Sequence, residues 1–159
     1  MVDRSVGWSA VPIRPAEPSD LPDIAALIRE LADYEQMTDD VVWETPQLER
    51  ELFGPDPAAH VLLAVTDAGE VAGMALWFRT FSTFLGRSGI WLEDLFVRPE
   101  QRRRGHGLAL IRHLRTLTDG RVEWVVLDWN TSARTFYDDL GAAPVPGWTR
   151  YRWLPEVAS

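Results

Sequence analysis

The sequence has no cysteine, no long hydrophobic run and an excess of acidic over basic residues. The absence of cysteine excludes disulfides, thiolate nucleophiles and thiolate metal sites. The longest apolar stretches, residues 61–65 and 122–127, are too short to span a bilayer. With 24 Asp and Glu against 16 Lys and Arg, the net charge of −8 argues against a nucleic-acid partner, because phosphate binding needs a basic surface. The same charge favours a cationic ligand, although solubility alone also accounts for it.

The remaining absences concern location and metals. The N-terminus lacks the apolar segment of a secretory signal, so we expect a cytoplasmic protein without membrane association. The three histidines are scattered and lack the spacing of metal ligands, so we expect no metal site.

The 159 residues predict a single domain, residues 1–159, of the α/β class. Helical periodicity, turn residues and β-rich runs indicate ten elements. The predicted strands are residues 8–14, 60–66, 71–80, 90–97, 122–127 and 148–153, and the predicted helices are residues 20–35, 45–53, 105–118 and 132–140. Gly120 is expected to close the third helix as a C-cap. A strand–helix–strand unit attached to an antiparallel hairpin gives a mixed sheet covered by helices.

A glycine-rich basic turn follows the strand that ends at Val97. It reads Arg102-Arg103-Arg104-Gly105-His106-Gly107 and opens a helix, where backbone N–H groups and the helix dipole favour an anion. The turn is not a Walker loop, and Leu110 stands where a dinucleotide fingerprint needs its third glycine. A pyrophosphate site of the form Arg/Gln-x-x-Gly-x-Gly and an ordinary basic turn remain as alternatives.

Together with that turn, several segments resemble the GNAT superfamily of N-acetyltransferases, in particular its spermidine/spermine (diamine) and thialysine branch. The resemblance covers about residues 13–153. Its segments are Glu-Leu-Ala-Asp-Tyr-Glu at 30–35, Phe-Ser-Thr-Phe-Leu-Gly at 81–86, Leu-Glu-Asp-Leu-Phe-Val at 92–97, Asp-Trp-Asn at 128–130 and Phe-Tyr-Asp-Asp-Leu-Gly-Ala at 136–142. It implies the GNAT fold, a mixed and mostly antiparallel sheet that is split between its fourth and fifth strands and flanked by helices.

The resemblance also implies the cosubstrate, acetyl-CoA, bound between the strands at 90–97 and 122–127. Three groups of residues would bind it: the backbone of Leu95, Phe96 and Val97 along the pantetheine arm, Arg102, Arg103, Arg104, Gly105, His106, Gly107 and Leu108 around the pyrophosphate, and Asn130. His106 is expected to be solvated. The family further implies a homodimer.

Acetyl transfer to an amine requires one group that removes a proton from the amine and another that protonates the departing thiolate. Glu93 is the candidate base, and Tyr137, a phenol that is protonated at neutral pH, is the candidate acid. The alternative for Glu93 is a charged residue on the exposed face of the strand. The alternative for Tyr137 is a tyrosine that only packs its amphipathic helix. A backbone N–H near Leu95, where the strand bulges, would polarise the acyl carbonyl.

The family's amine-binding pair corresponds to Tyr34 and Glu35, with Glu93 beside the reacting nitrogen. A solvated acidic loop is the alternative for the carboxylates after the first helix. The predicted function is acetyl transfer by direct attack, without an acyl-enzyme, to a primary amine of a small cationic substrate such as a polyamine, a diamine or a lysine-like amino acid. The alternatives are a protein N-acetyltransferase and a non-catalytic CoA-binding module.

Overall fold

The computed structural model describes residues 10–156, so Trp8 and Ser9 of the predicted first strand lie outside the described residues. Five strands form one sheet in the order β1-β2-β3-β4-β5. The strands are β1 (Ile13–Pro15), β2 (His60–Val65), β3 (Val71–Ser82), β4 (Arg87–Val97) and β5 (Val122–Glu123), and the helices are α1 (Leu21–Tyr34), α2 (Thr45–Phe53), α3 (His106–Thr116) and α4 (Thr131–Asp139). All neighbouring strands are antiparallel except β4 and β5, which are parallel.

The chain divides into two compact units, one up to Trp124 and one from Val125. The first unit contains the sheet with α1, α2 and α3, and the second contains α4. The assignment of residues 1–159 to a single domain stays a prediction.

Apolar residues at helical spacing anchor α1 on one face of the sheet. Ile24, Leu27 and Leu31 are buried, and they pack in one cluster with Leu52 of α2 and with strand residues. The strand members of this cluster are Val61, Leu63, Val71, Met74, Leu76 and Phe96. Successive strand residues point to opposite faces, so the buried Leu62 and Ala64 of β2 lie on the other face, where α3 packs.

The two N-terminal helices begin at polar side chains. Before α1, the carboxylate of Asp20 accepts hydrogen bonds from Arg14 at 2.7 and 2.8 Å and from the backbone N–H of Glu17 at 2.8 Å. At α2, Glu44 is the N-cap and forms a capping box with Gln47. The helix therefore begins at residue 45, as predicted, and Glu44 is its cap.

A β-bulge interrupts the long β3–β4 hairpin. Leu76 is opposite Asp94 and Trp77 is opposite Leu92, so Glu93 is an extra residue in β4. The pairing of β4 with β5 is much shorter, since only Ile90 with Val122 and Trp91 with Glu123 are in register. The expected mixed sheet is confirmed, and the pairing between its fourth and fifth strands ends after these two positions.

Three sequence-based predictions about elements are wrong. β5 ends at Glu123 and not at Leu127, and residues 148–153 form no strand. α3 ends at Thr116 with Leu117 as its C-cap, so Gly120 does not close it. Instead, Gly120 lies where any Cβ would be 2.0 Å from the backbone oxygen of Ser88, so a glycine is required for the close approach to β4.

Candidate active site

The bulge places two carboxylates on one face of β4. Trp91 is opposite Phe78 and Asp94 is opposite Leu76. Phe78 and Leu76 are two residues apart on β3 and share a face, so Trp91 and Asp94 also share it. Glu93 points the same way, because the indole Nε1 of Trp91 donates a hydrogen bond to its Oε2 at 2.8 Å. Without the extra residue, Asp94 would point to the face that α3 covers.

This face is the one that α1 covers, because Leu76 belongs to the cluster around that helix. Glu35, the C-cap of α1, is close enough to Asp94 for its negative charge to raise the pKa of that residue. We call Glu35, Glu93 and Asp94 the acidic cluster. Two of its members, Glu35 and Glu93, were predicted from the sequence, and the structure places both beside Asp94.

Asp94 has the most perturbed carboxyl group of the cluster. Burial, the charge of Glu93 and the charge of Glu35, in that order, raise its pKa to about 7. Burial also raises the pKa of Glu35. Glu93 is exposed, whereas Asp94 is partly buried. Two neighbouring carboxylates with such different environments are typical of sites that handle protons.

Sequence reasoning missed Asp94, although the sequence contained a signal for it. A strand with one exposed face alternates polar and apolar residues, and two adjacent charged residues break that alternation. A bulge is the structural feature that accommodates such a break. The bulge had been expected near Leu95, and the structure places it at Glu93.

Tyr34, the last residue of α1, contacts the glycine-rich turn through Arg102. The guanidinium of Arg102 lies 5.0 Å from the centre of the Tyr34 ring and 5.5 Å from that of Phe96. Its Nε donates a hydrogen bond to the backbone oxygen of Val97 at 2.9 Å. Arg102 therefore connects the predicted amine-binding pair with the predicted pantetheine strand, in which Phe96 is buried and Leu95 and Val97 are partly exposed.

The turn between β4 and α3 has the backbone geometry of an anion site. Arg103 and Gly105 adopt left-handed conformations, with φ of 60° and 84°. Ala109 N–H makes the first helical hydrogen bond, to Gly105 O, so the N–H groups of His106, Gly107 and Leu108 precede the helical ladder. Left-handed residues before a helix N-terminus direct successive N–H groups into a concavity that suits phosphate oxygens. Arg104 adds charge at the same turn.

His106 is buried, with 6% of its surface exposed, so its predicted solvation is wrong. Its Nδ1 is a buried atom without a hydrogen-bond partner among the residues that the structure describes. Burial and the neighbouring Arg104 lower the pKa of its imidazole, and Asp67 opposes them. The imidazole is therefore neutral near pH 7.

The remaining predicted residues lie in the second unit. Asn130 is the N-cap of α4, and its side-chain oxygen accepts a hydrogen bond from Ala133 N–H at 3.2 Å. Tyr137 lies on the second turn of that helix, edge-on to Phe136 with 5.3 Å between the ring centres. The roles of both residues stay predictions, as does the cytoplasmic location. No helix within residues 10–156 is long and apolar enough to cross a membrane.

Comparisons with known proteins identify the family of the chain. The family model described as Acetyltransferase (GNAT) family matches residues 25–142. Thialysine N-epsilon-acetyltransferase of Bos taurus is 37% identical over an alignment of 161 positions. The alignment covers 92% of this chain and 94% of that protein. L-ornithine N5-acetyltransferase NATA1 of Arabidopsis thaliana is 38% identical over 104 residues, which cover 63% of this chain and 42% of that protein.

Among solved structures, the integron cassette protein VCH_CASS6 of V. cholerae matches with a TM-score of 0.76 and 24% identity, covering 92% of this chain and 94% of that chain. At this identity the likeness concerns the fold alone. The family match and the bovine relative both span most of the chain. The chain therefore belongs to the acetyltransferase (GNAT) family, has its fold and is an acetyltransferase that acts on amines.

Proposed function

We propose that this protein transfers the acetyl group of acetyl-CoA to the side-chain amine of a small basic amino acid. The observation that carries the proposal is the acidic cluster, where Glu93 and Asp94 at the bulge face Glu35 at the end of α1. Carboxylates gathered on one face attract an ammonium group. The bovine and plant relatives are named for thialysine and L-ornithine, which are amino acids with a side-chain amine.

The turn before α3 fits the pyrophosphate of acetyl-CoA. Gly105 has a left-handed φ of 84° that other residues adopt only at a cost, and the N–H groups of His106 and Gly107 follow it. Arg103 and Arg104 supply positive charge at the same place. When bound, acetyl-CoA supplies the activated acetyl thioester. The backbone of Leu95, Phe96 and Val97, with Asn130, is proposed to bind the rest of it.

The chain's own residues must manage two protons. At pH 7, deprotonating an amine whose pKa is ~10.4 costs about 4–5 kcal/mol, and a nearby carboxylate at the bulge offsets part of that cost. The leaving thiolate must gain a proton, and Tyr137 is the proposed donor. A Tyr137→Phe variant should lower kcat by about 100-fold and leave the acetyl-CoA dissociation constant within about twofold of the wild-type value.

The experiment is a measurement of CoA release with a panel of amines. The panel contains thialysine, ornithine, lysine, putrescine, spermidine, spermine and a lysine-containing peptide, each with mass spectrometry of the product to locate the acetylated nitrogen. The chain contains no lysine, so no lysine side chain of the enzyme itself competes as an acceptor. Reactions without an added amine give the hydrolysis background.

Each result separates the alternatives. Side-chain acetylation of an amino acid, at a kcat/KM at least tenfold above that of every polyamine, supports the proposal. A polyamine as the best acceptor retains acetyl transfer and replaces the acceptor class. Turnover of the peptide alone indicates a protein N-acetyltransferase. Acetyl-CoA binding without any turnover indicates a CoA-binding module.

A homodimer is the proposed assembly, and the second unit supports it. Its residues 148–153 have no regular secondary structure, and Trp148, Tyr151 and Trp153 are 81%, 90% and 98% exposed. Large exposed apolar side chains that lie close together in the sequence suit an interaction site. Size-exclusion chromatography with light scattering should give twice the chain mass of 18.0 kDa. A monomer at micromolar concentration would contradict the proposed assembly.

A further inference from the structure

We infer that Asp94, and not Glu93, accepts the proton from the amine, while Glu93 holds the ammonium group for the reaction. This inference rests on the proposed function. Its basis is the bulge, which places two carboxylates side by side and gives them different surroundings.

Glu93 has the geometry of a fixed binding group. It is the extra residue of the bulge, it is exposed, and the indole N–H of Trp91 donates to its Oε2 at 2.8 Å. A hydrogen bond from a neutral N–H to a carboxylate fixes the orientation of that carboxylate. One oxygen is thereby held, and among residues 10–156 no group donates a hydrogen bond to Oε1, which can accept one from an incoming ammonium group.

Asp94 has the surroundings of a proton acceptor. Apolar Leu76 lies opposite it on β3, Glu35 and Tyr34 end the helix that covers this face, and Glu93 precedes it. Arg102 stacks on Tyr34 and Phe96, and Arg98 pairs with Asp23 and Glu30 of α1. In the part of the chain that the structure describes, no ion pair joins either arginine to Asp94. When neighbouring carboxylates are partly buried and have no cationic partner, their mutual repulsion favours the protonated form of one of them.

The pKa of Asp94 is closer to that of the amine than the pKa of an ordinary aspartate is. Proton transfer from an amine with a pKa of ~10.4 to an aspartate with the ordinary pKa of ~3.9 is unfavourable by a factor of about 3 × 10⁶. The pKa of Asp94 is about 7, which reduces this factor to about 3 × 10³. At pH 7 about half of the Asp94 side chains are ionised and able to accept the proton.

The proton and bond changes balance. The ammonium group held by Glu93 loses one proton to Asp94, and the nitrogen lone pair then forms the N–C bond to the acetyl carbon. As the C–S bond breaks, the nitrogen loses its second proton and the thiolate gains one, so one proton is released to solvent per turnover. Asp94 returns its proton to solvent before the next cycle.

The test compares Asp94→Asn and Glu93→Gln with the wild-type enzyme and with Asp56→Asn, a matched loss of an exposed carboxylate from a loop outside the site. Steady-state kcat and KM for the best amine are measured from pH 6 to pH 10. Asp94→Asn should lower kcat at pH 7 by about 100-fold or more with KM within about threefold. Glu93→Gln should mainly raise KM, by about tenfold, and Asp56→Asn should match the wild type.

The pH profile separates a base from a structural residue. Without the base, only amine that solvent has already deprotonated reacts, so kcat/KM of Asp94→Asn should rise about tenfold per pH unit up to pH ~9.5 and approach the wild-type value. A fold defect would leave a constant ratio between the two enzymes. Carbon-13 NMR of the Asp94 carboxyl should show titration near pH 7 in the wild type and at lower pH in Glu35→Gln.

Two results overturn the inference in different ways. An active wild type with an Asp94→Asn variant within threefold of its kcat, or with a constant ratio across the pH range, removes the base role of Asp94 and leaves the proposed function intact. A wild-type enzyme that acetylates no amine removes both the proposed function and the base role of Asp94. The wild-type measurement alone shows this outcome.

Discussion

Ionisation of Asp94 should destabilise the folded protein, and Asp94→Asn should relieve this cost. The pKa of Asp94 is about 7 in the folded chain, against ~3.9 for an aspartate in an unfolded one. Between these values the folded protein holds one more proton than the unfolded chain, so the free energy of unfolding decreases as pH rises. Three pKa units at 1.36 kcal/mol each amount to about 4 kcal/mol between pH 4 and pH 8.

Asparagine does not titrate, so the free energy of unfolding of the variant lacks the decrease with pH that Asp94 causes in the wild type. The free energy of unfolding of Asp94→Asn minus that of the wild type should therefore increase by about 4 kcal/mol from pH 4 to pH 8. Urea titrations followed by the fluorescence of the eight tryptophans measure both proteins at each pH. Groups that do not interact with Asp94 titrate equally in the two proteins and cancel in the difference. A difference that varies by less than about 0.5 kcal/mol over this range would refute the reasoning, and Asp56→Asn should show that flat behaviour.

Three further predictions concern stability. Asp20→Asn should lower the free energy of unfolding at pH 7 by about 2 kcal/mol, because Arg14 loses a bidentate partner. Since Arg14 lowers the pKa of Asp20, the stability difference between the two proteins should disappear as pH falls through the pKa of Asp20 in the folded protein. A difference that persists at pH 2 would contradict the ion pair. His106→Leu should raise the melting temperature relative to the wild type, and this gain should grow as pH falls below 6.5. The pKa of the buried imidazole is lowered, so the unfolded chain takes up a proton at a higher pH than the folded protein does. A gain in melting temperature that does not vary with pH would exclude this cause. Gly120→Ala should lower the free energy of unfolding by at least about 2 kcal/mol, because its Cβ would be 2.0 Å from the backbone oxygen of Ser88. A melting temperature within 1 °C of the wild-type value would show that the two backbone segments can move apart without loss of stability.

The parts of the fold that the sequence predicted correctly are those with local signals. Leu27 and Leu31 recur at helical spacing in α1, and the strands of the β3–β4 hairpin are rich in β-branched and aromatic residues. The parts that failed depend on distant partners. The apolar run at 122–127 resembles a buried strand along its whole length, yet the pairing with β4 stops at Glu123. Likewise, the aromatic run at 148–153 has strand propensity, but a strand also requires a neighbour with which to pair.

The candidate site shows the same division. Glu93, Tyr34 and Glu35 were identified by their resemblance to a family, and the structure then placed Glu35 beside the bulge. Asp94 was missed because two adjacent charged residues in a strand indicate a bulge but not which of the two the shift in register buries under α1. The burial of His106 was missed for a similar reason, since the start of a helix is often solvated and only packing of the turn against the sheet decides otherwise.

The short β4–β5 pairing has a consequence for handling the protein. From Leu92 to Val97, the edge of β4 on the β5 side has no strand partner within the described sheet. A strand edge of this length is a template on which a second molecule can assemble, and a ligand bound along it would block that assembly while stabilising the native state by mass action. Samples kept with a CoA ester should therefore remain monodisperse during concentration and storage for longer than samples from which it has been dialysed away. The proposed cosubstrate would then also protect the enzyme against aggregation.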